Sequence, residues 1–231
     1  SGVATGLSPT KKWKLETQGR SWVLGDTLNV GIGQGYVLTS PMQLAVMASR
    51  IASGKLIQPR LIKRVNGVFK EIESQNDLGI STFALNLVRE GMYDVSNGNK
   101  GTARKSKIEI KEMSLAAKTG TAQVRNITKK ERETGVIPNE KLPWKKRDHA
   151  LFVGYAPYVK PKYAISVVVE HGGGGSKVAA PIARDIMLRA IYGRVPKLEA
   201  YPMDQREEAK DRLESLNLNP VLKSEENEGS A

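Results

Sequence analysis

Leu115-Ala116-Ala117-Lys118-Thr119-Gly120-Thr121-Ala122-Gln123-Val124 is the stretch on which the reading of this chain turns. Small and β-favouring residues run through it without a turn signal, which predicts a buried strand. At its centre a lysine is followed by two threonines that flank a glycine. The lysine offers a cationic head, and the hydroxyls can hold a carboxylate. Gly120, lacking a side chain, lets a ligand lie against the backbone. The N–H of Thr121 can face a developing oxyanion. Four residues of this kind recur by chance, so their meaning depends on what surrounds them.

Downstream, a basic connection over 125–148 leads to two apolar runs, 150–155 and 163–170. The short proline-containing link between them makes these runs antiparallel neighbours. Four glycines (172–175) follow. A helix is then expected over 177–192, capped by Ser176, with Ile182, Ile186, Met187, Leu188 and Ile191 on its apolar side.

Upstream, Ser40 as N-cap and Pro41 at the first helical position open a helix over 42–52, with Leu44, Met47, Ala48 and Ile51 on one face. Gly54 closes it. Asn66-Gly67 signals a hairpin. A second helix fits 82–95, with Phe83, Leu87 and Met92 apolar. Residues 1–25 are polar and read as loop anchored by Trp13 and Trp22. Strands and helices in this order predict an α+β fold: a largely antiparallel sheet with helices on both faces. Residues 1–195 form the domain. Residues 196–231 form a polar tail, helical over 204–216 and disordered over 223–231.

Composition removes several chemistries. The 231 residues include no cysteine, so disulfides, thiolate nucleophiles and cysteine metal sites are out. Two histidines, His149 and His171, are too few for a histidine-rich metal site, and no metal or cofactor is expected. Both histidines are read as structural residues at strand ends. No run reaches the length of a membrane span. The net charge of +12 admits nucleic acid, anionic lipid or an anionic wall polymer, against the plainer reading of a solvated basic surface. The 125–148 segment carries only Trp144 among its basic residues, so a solvated loop fits better than a nucleic-acid site. Gly31-x-Gly33-x-Gly35 lacks the spacing and βαβ context of a dinucleotide loop and reads as a backbone turn.

Several stretches, in order, resemble the class B penicillin-binding proteins, with the elongation-type branch the best match. They are Gly25-Asp26-Thr27-Leu28-Asn29, Ile32-Gly33-Gln34-Gly35, Thr39-Ser40-Pro41-Met42-Gln43-Leu44-Ala45, Gly91-Met92-Tyr93-Asp94-Val95 and Gly101-Thr102-Ala103. Ala117–Val124, with its Lys-Thr-Gly element, and His149–Pro157 complete the series. The resemblance covers roughly 1–193 and implies a β-lactamase/transpeptidase-like fold, incomplete in this chain. It also implies a two-step acyl transfer on D-Ala-D-Ala stem peptides of peptidoglycan, with β-lactams as mimics. Lys118 would supply positive charge and help proton transfer. Thr119 and Thr121 would hold the substrate carboxylate, Gly120 would admit the substrate, and Thr121 would give an oxyanion donor.

The same resemblance places the nucleophilic serine of a Ser-x-x-Lys motif upstream of this chain, together with a membrane anchor on the periplasmic face of the bacterial inner membrane. Cell-wall elongation proteins and the rest of the transpeptidase domain are the partners it implies; nucleic acid is not. Within the chain, Ser8-Pro9-Thr10-Lys11 has the Ser-x-x-Lys spacing but is followed by lysines rather than an apolar helix. Ser81 lacks an activating lysine. Ser74-Gln75-Asn76 and Ser215-Leu216-Asn217 lie in polar stretches. None is read as catalytic. A chain of this extent is expected to leave apolar surface uncovered.

Overall fold

The computed structural model describes residues 5–70 and 75–216. The chain divides into two compact units, Ser1–Leu44 and Ala45–Ala231.

The first unit is more helical than its composition suggests. Helix α1 (Lys11–Gln18) starts at Thr10, whose side chain accepts from the Trp13 N–H, and ends on Gly19 in the left-handed region. Lys14 is buried because its Nζ reaches Asp26 Oδ2 at 2.6 Å. Asp26 lies in the first turn of α2 (Leu24–Gly31) and also accepts from the Val23 N–H at 2.7 Å. Lys14 holds the Asp26 carboxyl below the usual carboxylate range. The two tryptophans act as anchors: Trp13 meets Tyr36 edge-on, and Trp22 donates to Thr27 Oγ1 at 2.8 Å. Helix α1 corrects the expectation of a loop over 1–25, and the first residues of α2 close that stretch. A buried ion pair, rather than an apolar stripe, holds them together.

Helix α3 (Pro41–Ser53) follows its start signal, although Met47, expected on its apolar face, is 43% exposed. The Gln43 N–H donates to Ser40 Oγ, and the Ser40 N–H donates back to Gln43 Oε1. A small hairpin, β1 (Arg64–Val65) with β2 (Val68–Phe69), turns through Asn66 and Gly67, both at positive φ. Helix α4 (Thr82–Asn97) is capped by Ser81, whose Oγ accepts from the Ala84 N–H.

The main sheet has the order β3 (Ala116–Ala122), β4 (His149–Ala156) and β5 (Tyr163–Val169), all antiparallel. Helix α4 packs against β3, and α6 (Ala179–Tyr192) packs against β4 and β5. Strand alternation assigns the faces. Ala116 joins Tyr155 and Met92 in one apolar cluster; Ala117 joins Phe152, Ala150 and the α6 residues Ala183 and Leu188 in the other. Helices therefore cover both faces, as expected. The second cluster also takes in Ala200, Tyr201 and Ala209, the last from α7 (Arg206–Ser215).

Two helix-face expectations and one cap fail. In α6 the buried side is Ala179, Ala180, Ala183, Arg184, Met187 and Leu188, while Ile182 and Ile186 are 41% and 50% exposed. Close approach of α6 to the sheet selects alanines over branched side chains. Ser176 does not cap this helix, whose N-cap position is Val178. On α4, Met92 is buried, but Phe83 and Leu87 are 81% and 61% exposed. Uncovered apolar surface is thus present, as expected. Among the described residues no helix is long and apolar enough to cross a membrane.

Candidate functional site

β3 is the edge strand of the main sheet, so Lys118–Thr121 lie on an outer rim. Lys118 shares a face with Ala116, on the α4 side; Thr119 and Thr121 share a face with Ala117, on the α6 side. The ammonium and the hydroxyls therefore straddle the strand. Lys118 Nζ donates to the Thr119 carbonyl at 2.6 Å, folding the lysine over the rim. Alternate residues of an antiparallel strand turn their main-chain groups the same way. The N–H of Thr121 accordingly shares the outward direction of the Thr119 carbonyl. Gly120 faces inward, paired with Leu151, and a Cβ on it would sit 3.3 Å from the Leu151 Cβ. Tight cross-strand packing is a further reason for glycine here, beside ligand access.

Two loops fix this rim. The first carries Thr102, whose Oγ1 lies 2.8 Å from Thr119 Oγ1. Gly101 must be glycine, because a Cβ would strike the carbonyl oxygens of Asp94 and Val95 at the end of α4. The Ala103 N–H then donates to Val95 O at 2.9 Å. The Asn97 side-chain amide bridges the carbonyls of Tyr93 and Leu115, both at 2.9 Å, tying α4 to the start of β3. Thr102 was not singled out as a site residue in the sequence; its tripeptide stood out only as one of the resembling stretches.

The second loop is the glycine turn between β5 and α6. Gly175 lies flat on the paired backbones of Gly120 and Leu151, where a Cβ would collide with both carbonyl oxygens. At the other end of the turn, His171 holds φ 56°, an uncommon conformation for a residue with a side chain. Its N–H donates to His149 Nδ1 at 2.9 Å, and its own Nδ1 lies 2.9 Å from the Arg147 carbonyl. A carbonyl only accepts, so His171 Nδ1 is the donor in that contact, while His149 Nδ1 is an acceptor. Trp144 packs edge-on against His171. Both histidines thus hold backbone groups at the strand ends, and their pairing across 22 residues was not legible in the sequence.

The basic connection is partly ordered. Helix α5 (Lys129–Thr134) opens with a reciprocal cap between Thr128 and Glu131. Arg125 donates to both Glu131 oxygens at 2.9 and 2.6 Å. The Arg125 guanidinium and the Thr128 donors pull the Glu131 carboxyl down to about 2. Asp148 closes the segment, donating its N–H to Asn139 Oδ1 and offering its carbonyl to the Gly173 N–H, both at 2.8 Å.

Ser8 is exposed just before α1, and Ser81 spends its hydroxyl as a cap. Ser74 and Asn217 lie outside the described residues. No cluster of His, Cys, Asp or Glu that could hold a metal occurs among the described residues. What the rim offers is donors: one ammonium, neighbouring hydroxyls and an outward backbone, an arrangement suited to binding an anion beside an extended chain.

Comparison with known proteins gives a consistent result. The profile of the penicillin binding protein transpeptidase domain matches residues 2–188. The peptidoglycan D,D-transpeptidase MrdA of Haemophilus influenzae is 36% identical over 217 residues, covering 90% of this chain and 33% of that protein. A crystal structure of Pseudomonas aeruginosa PBP2 in complex with WCK 5153 is 36% identical, with a TM-score of 0.66 over 87% of this chain and 42% of that one. PBP2 of Helicobacter pylori, solved in complex with MreC, is 34% identical, with a TM-score of 0.63 over 82% of this chain and 31% of that one. The chain thus spans about a third of the length of the curated relatives it matches.

Proposed function

Because the chain belongs to the penicillin-binding protein transpeptidase family, we propose that it is one wall of a PBP2-type peptidoglycan D,D-transpeptidase site. The observation that carries this reading is the rim of β3, where Lys118 and Thr119 sit on opposite faces of an exposed edge. A peptide lying along that edge would pair with outward main-chain groups of β3. Its terminal carboxylate would be held by the Thr119 and Thr121 hydroxyls. The Thr121 N–H would receive the oxyanion formed when a serine attacks the scissile carbonyl. Lys118 would contribute positive charge and assist proton transfer.

The serine itself, with its activating lysine, comes from a segment not contained in this chain. The resulting acyl-enzyme is resolved by the amine of a second stem peptide, and β-lactams stop at the first step. The same reading puts the protein on the periplasmic face of the inner membrane, held by an anchor outside this chain. The MreC complex of the Helicobacter relative supports an elongation protein as partner.

Labelling with a fluorescent penicillin tests this. A protein joining this chain to the upstream part of its domain labels, and Lys118→Met or Thr121→Val slows labelling by at least about a hundredfold. The chain by itself does not label. Labelling of the isolated chain that is lost in Ser8→Ala would move the nucleophile to Ser8 and overturn the assignment.

A further inference from the structure

A cleft of about 880 Å³ opens beside Thr102, on the side of β3 that carries the Thr119 hydroxyl. Arg104, Lys105, Lys107 and Lys177 line it, against Glu109 and Asp204. Two of these cations are already committed: Lys107 pairs with Glu109 at 2.8 Å, and Lys177 with Glu140 at 3.4 Å. Arg104 donates to the Asn99 carbonyl at 3.5 Å, but neither it nor the Lys105 ammonium has a carboxylate partner among the described residues. The cleft therefore presents two exposed cations outside any ion pair, a surplus of one positive charge over the Asp204 carboxylate.

Its wall is built from the inside. Gln205 Nε2 donates to the Lys105 carbonyl at 2.6 Å, and Gln205 Oε1 accepts from Arg184 at 2.7 Å. Arg184 is 1% exposed, and its guanidinium packs over the Tyr201 ring. A buried side chain thus sets the backbone from which Lys105 projects, which is how a binding wall keeps its geometry without a ligand.

We propose that this cleft is a separate subsite for side-chain carboxylates of the peptide that lies along β3. The inference rests on the reading of β3 as a peptide-holding rim. Guanidinium and ammonium donors favour carboxylate or phosphate oxygens. A nucleic acid is disfavoured because, among the described residues, no aromatic side chain lines the cleft to stack a base. Thr102, which lines the cleft, meets Thr119 of the rim at 2.8 Å, so cleft and rim adjoin within reach of one extended peptide.

Titration calorimetry of the chain with two synthetic peptides tests the proposal. Both end in D-Ala-D-Ala; one carries two free side-chain carboxylates, and in the other these are amidated. The acidic peptide binds about tenfold more tightly, from two partly exposed charge pairs. That preference shrinks as salt rises from about 50 to about 500 mM. The double variant Arg104→Gln/Lys105→Gln abolishes the preference and leaves the affinity for the amidated peptide unchanged. Both residues are exposed, so the variant keeps the parent's melting temperature.

Equal affinity of the parent for the two peptides, no binding of either, or a preference that survives in the double variant would each overturn the subsite. So would tighter binding of a short single-stranded RNA than of the acidic peptide. Thr119→Val separates this from the rim reading: unchanged affinity for the amidated peptide in that variant counts against the rim, whereas dependence of the preference on Arg104 and Lys105 reports on the cleft.

Discussion

Replacing Arg184 should be the most informative test of how this unit is held together. The side chain is buried, donates to Asp185 Oδ1 at 3.0 Å and to Gln205 Oε1 at 2.7 Å, and packs over Tyr201. Removing one partner of a fully buried pair costs about 3–5 kcal/mol. Asp185 is 27% exposed and keeps Arg212 at 3.0 Å, which lowers that figure. The lost hydrogen bond to Gln205 and the emptied volume raise it again. Arg184→Ala should therefore cost roughly 3 kcal/mol, and Arg184→Met, which keeps the stem against Tyr201, about half of that. For a chain of this size the alanine variant should melt roughly 6–12 °C below the parent in a thermal scan followed by circular dichroism. The methionine variant should fall between the two. An alanine variant melting within about 2 °C of the parent would refute the claim that this guanidinium ties α6 to the 198–205 turns.

Three further perturbations have defined outcomes. Glu131 is held at about 2 when folded, against 4.5 as its ordinary value, so its contribution is complete above about pH 4.5 and is lost as pH falls toward 2; the protection factors of the α5 amides, taken against the intrinsic exchange rate at each pH, should fall over that window in the parent, and Glu131→Gln should remove this acid-dependent change. Gly175→Ala puts a methyl group into the Gly120 and Leu151 carbonyls and should cost about 1–3 kcal/mol by urea unfolding; a neutral result would mean the glycine turn does not rest on β3. Phe83→Ser with Leu87→Gln should leave the melting temperature of the chain within about 2 °C and reduce binding of a hydrophobic dye, because both side chains face solvent; a drop of several degrees would place them in a core.

What the sequence revealed and what it hid divide along a physical line. The strands were legible because each is a short apolar run, and β4 and β5 are joined by a link too short for anything but an antiparallel return. Helix α3 was legible through its cap, Ser40, whose side chain makes the expected bond. Helix α1 was missed because its stability comes from Lys14 reaching Asp26, twelve residues on, and a pairing of that kind leaves no periodicity. The buried side of α6 was misjudged because hydrophobicity favoured Ile182 and Ile186, whereas close packing required Ala179, Ala180 and Ala183. Lys118–Thr121 could be picked out because its chemistry is contiguous. Thr102 could not, since it meets Thr119 only after α4 and β3 have packed together.

The division of Lys118 from the threonine hydroxyls depends on strand register. A slip of β3 by one residue against β4 would send the ammonium to the α6 side and the hydroxyls to the α4 side. Ala116 and Ala117 oppose that slip, since they are fully buried in clusters on opposite faces and an exchange would misplace both. The Asn97 amide opposes it as well, because its bond to the Leu115 carbonyl fixes how far β3 has advanced along α4. Gly175 adds a third constraint: it fits only where the inward-paired Gly120 and Leu151 backbones leave a flat surface free of Cβ. These constraints come from three different elements, and each is satisfied at one register alone. The rim's chemistry is thus set by alanines and glycines that carry none of it.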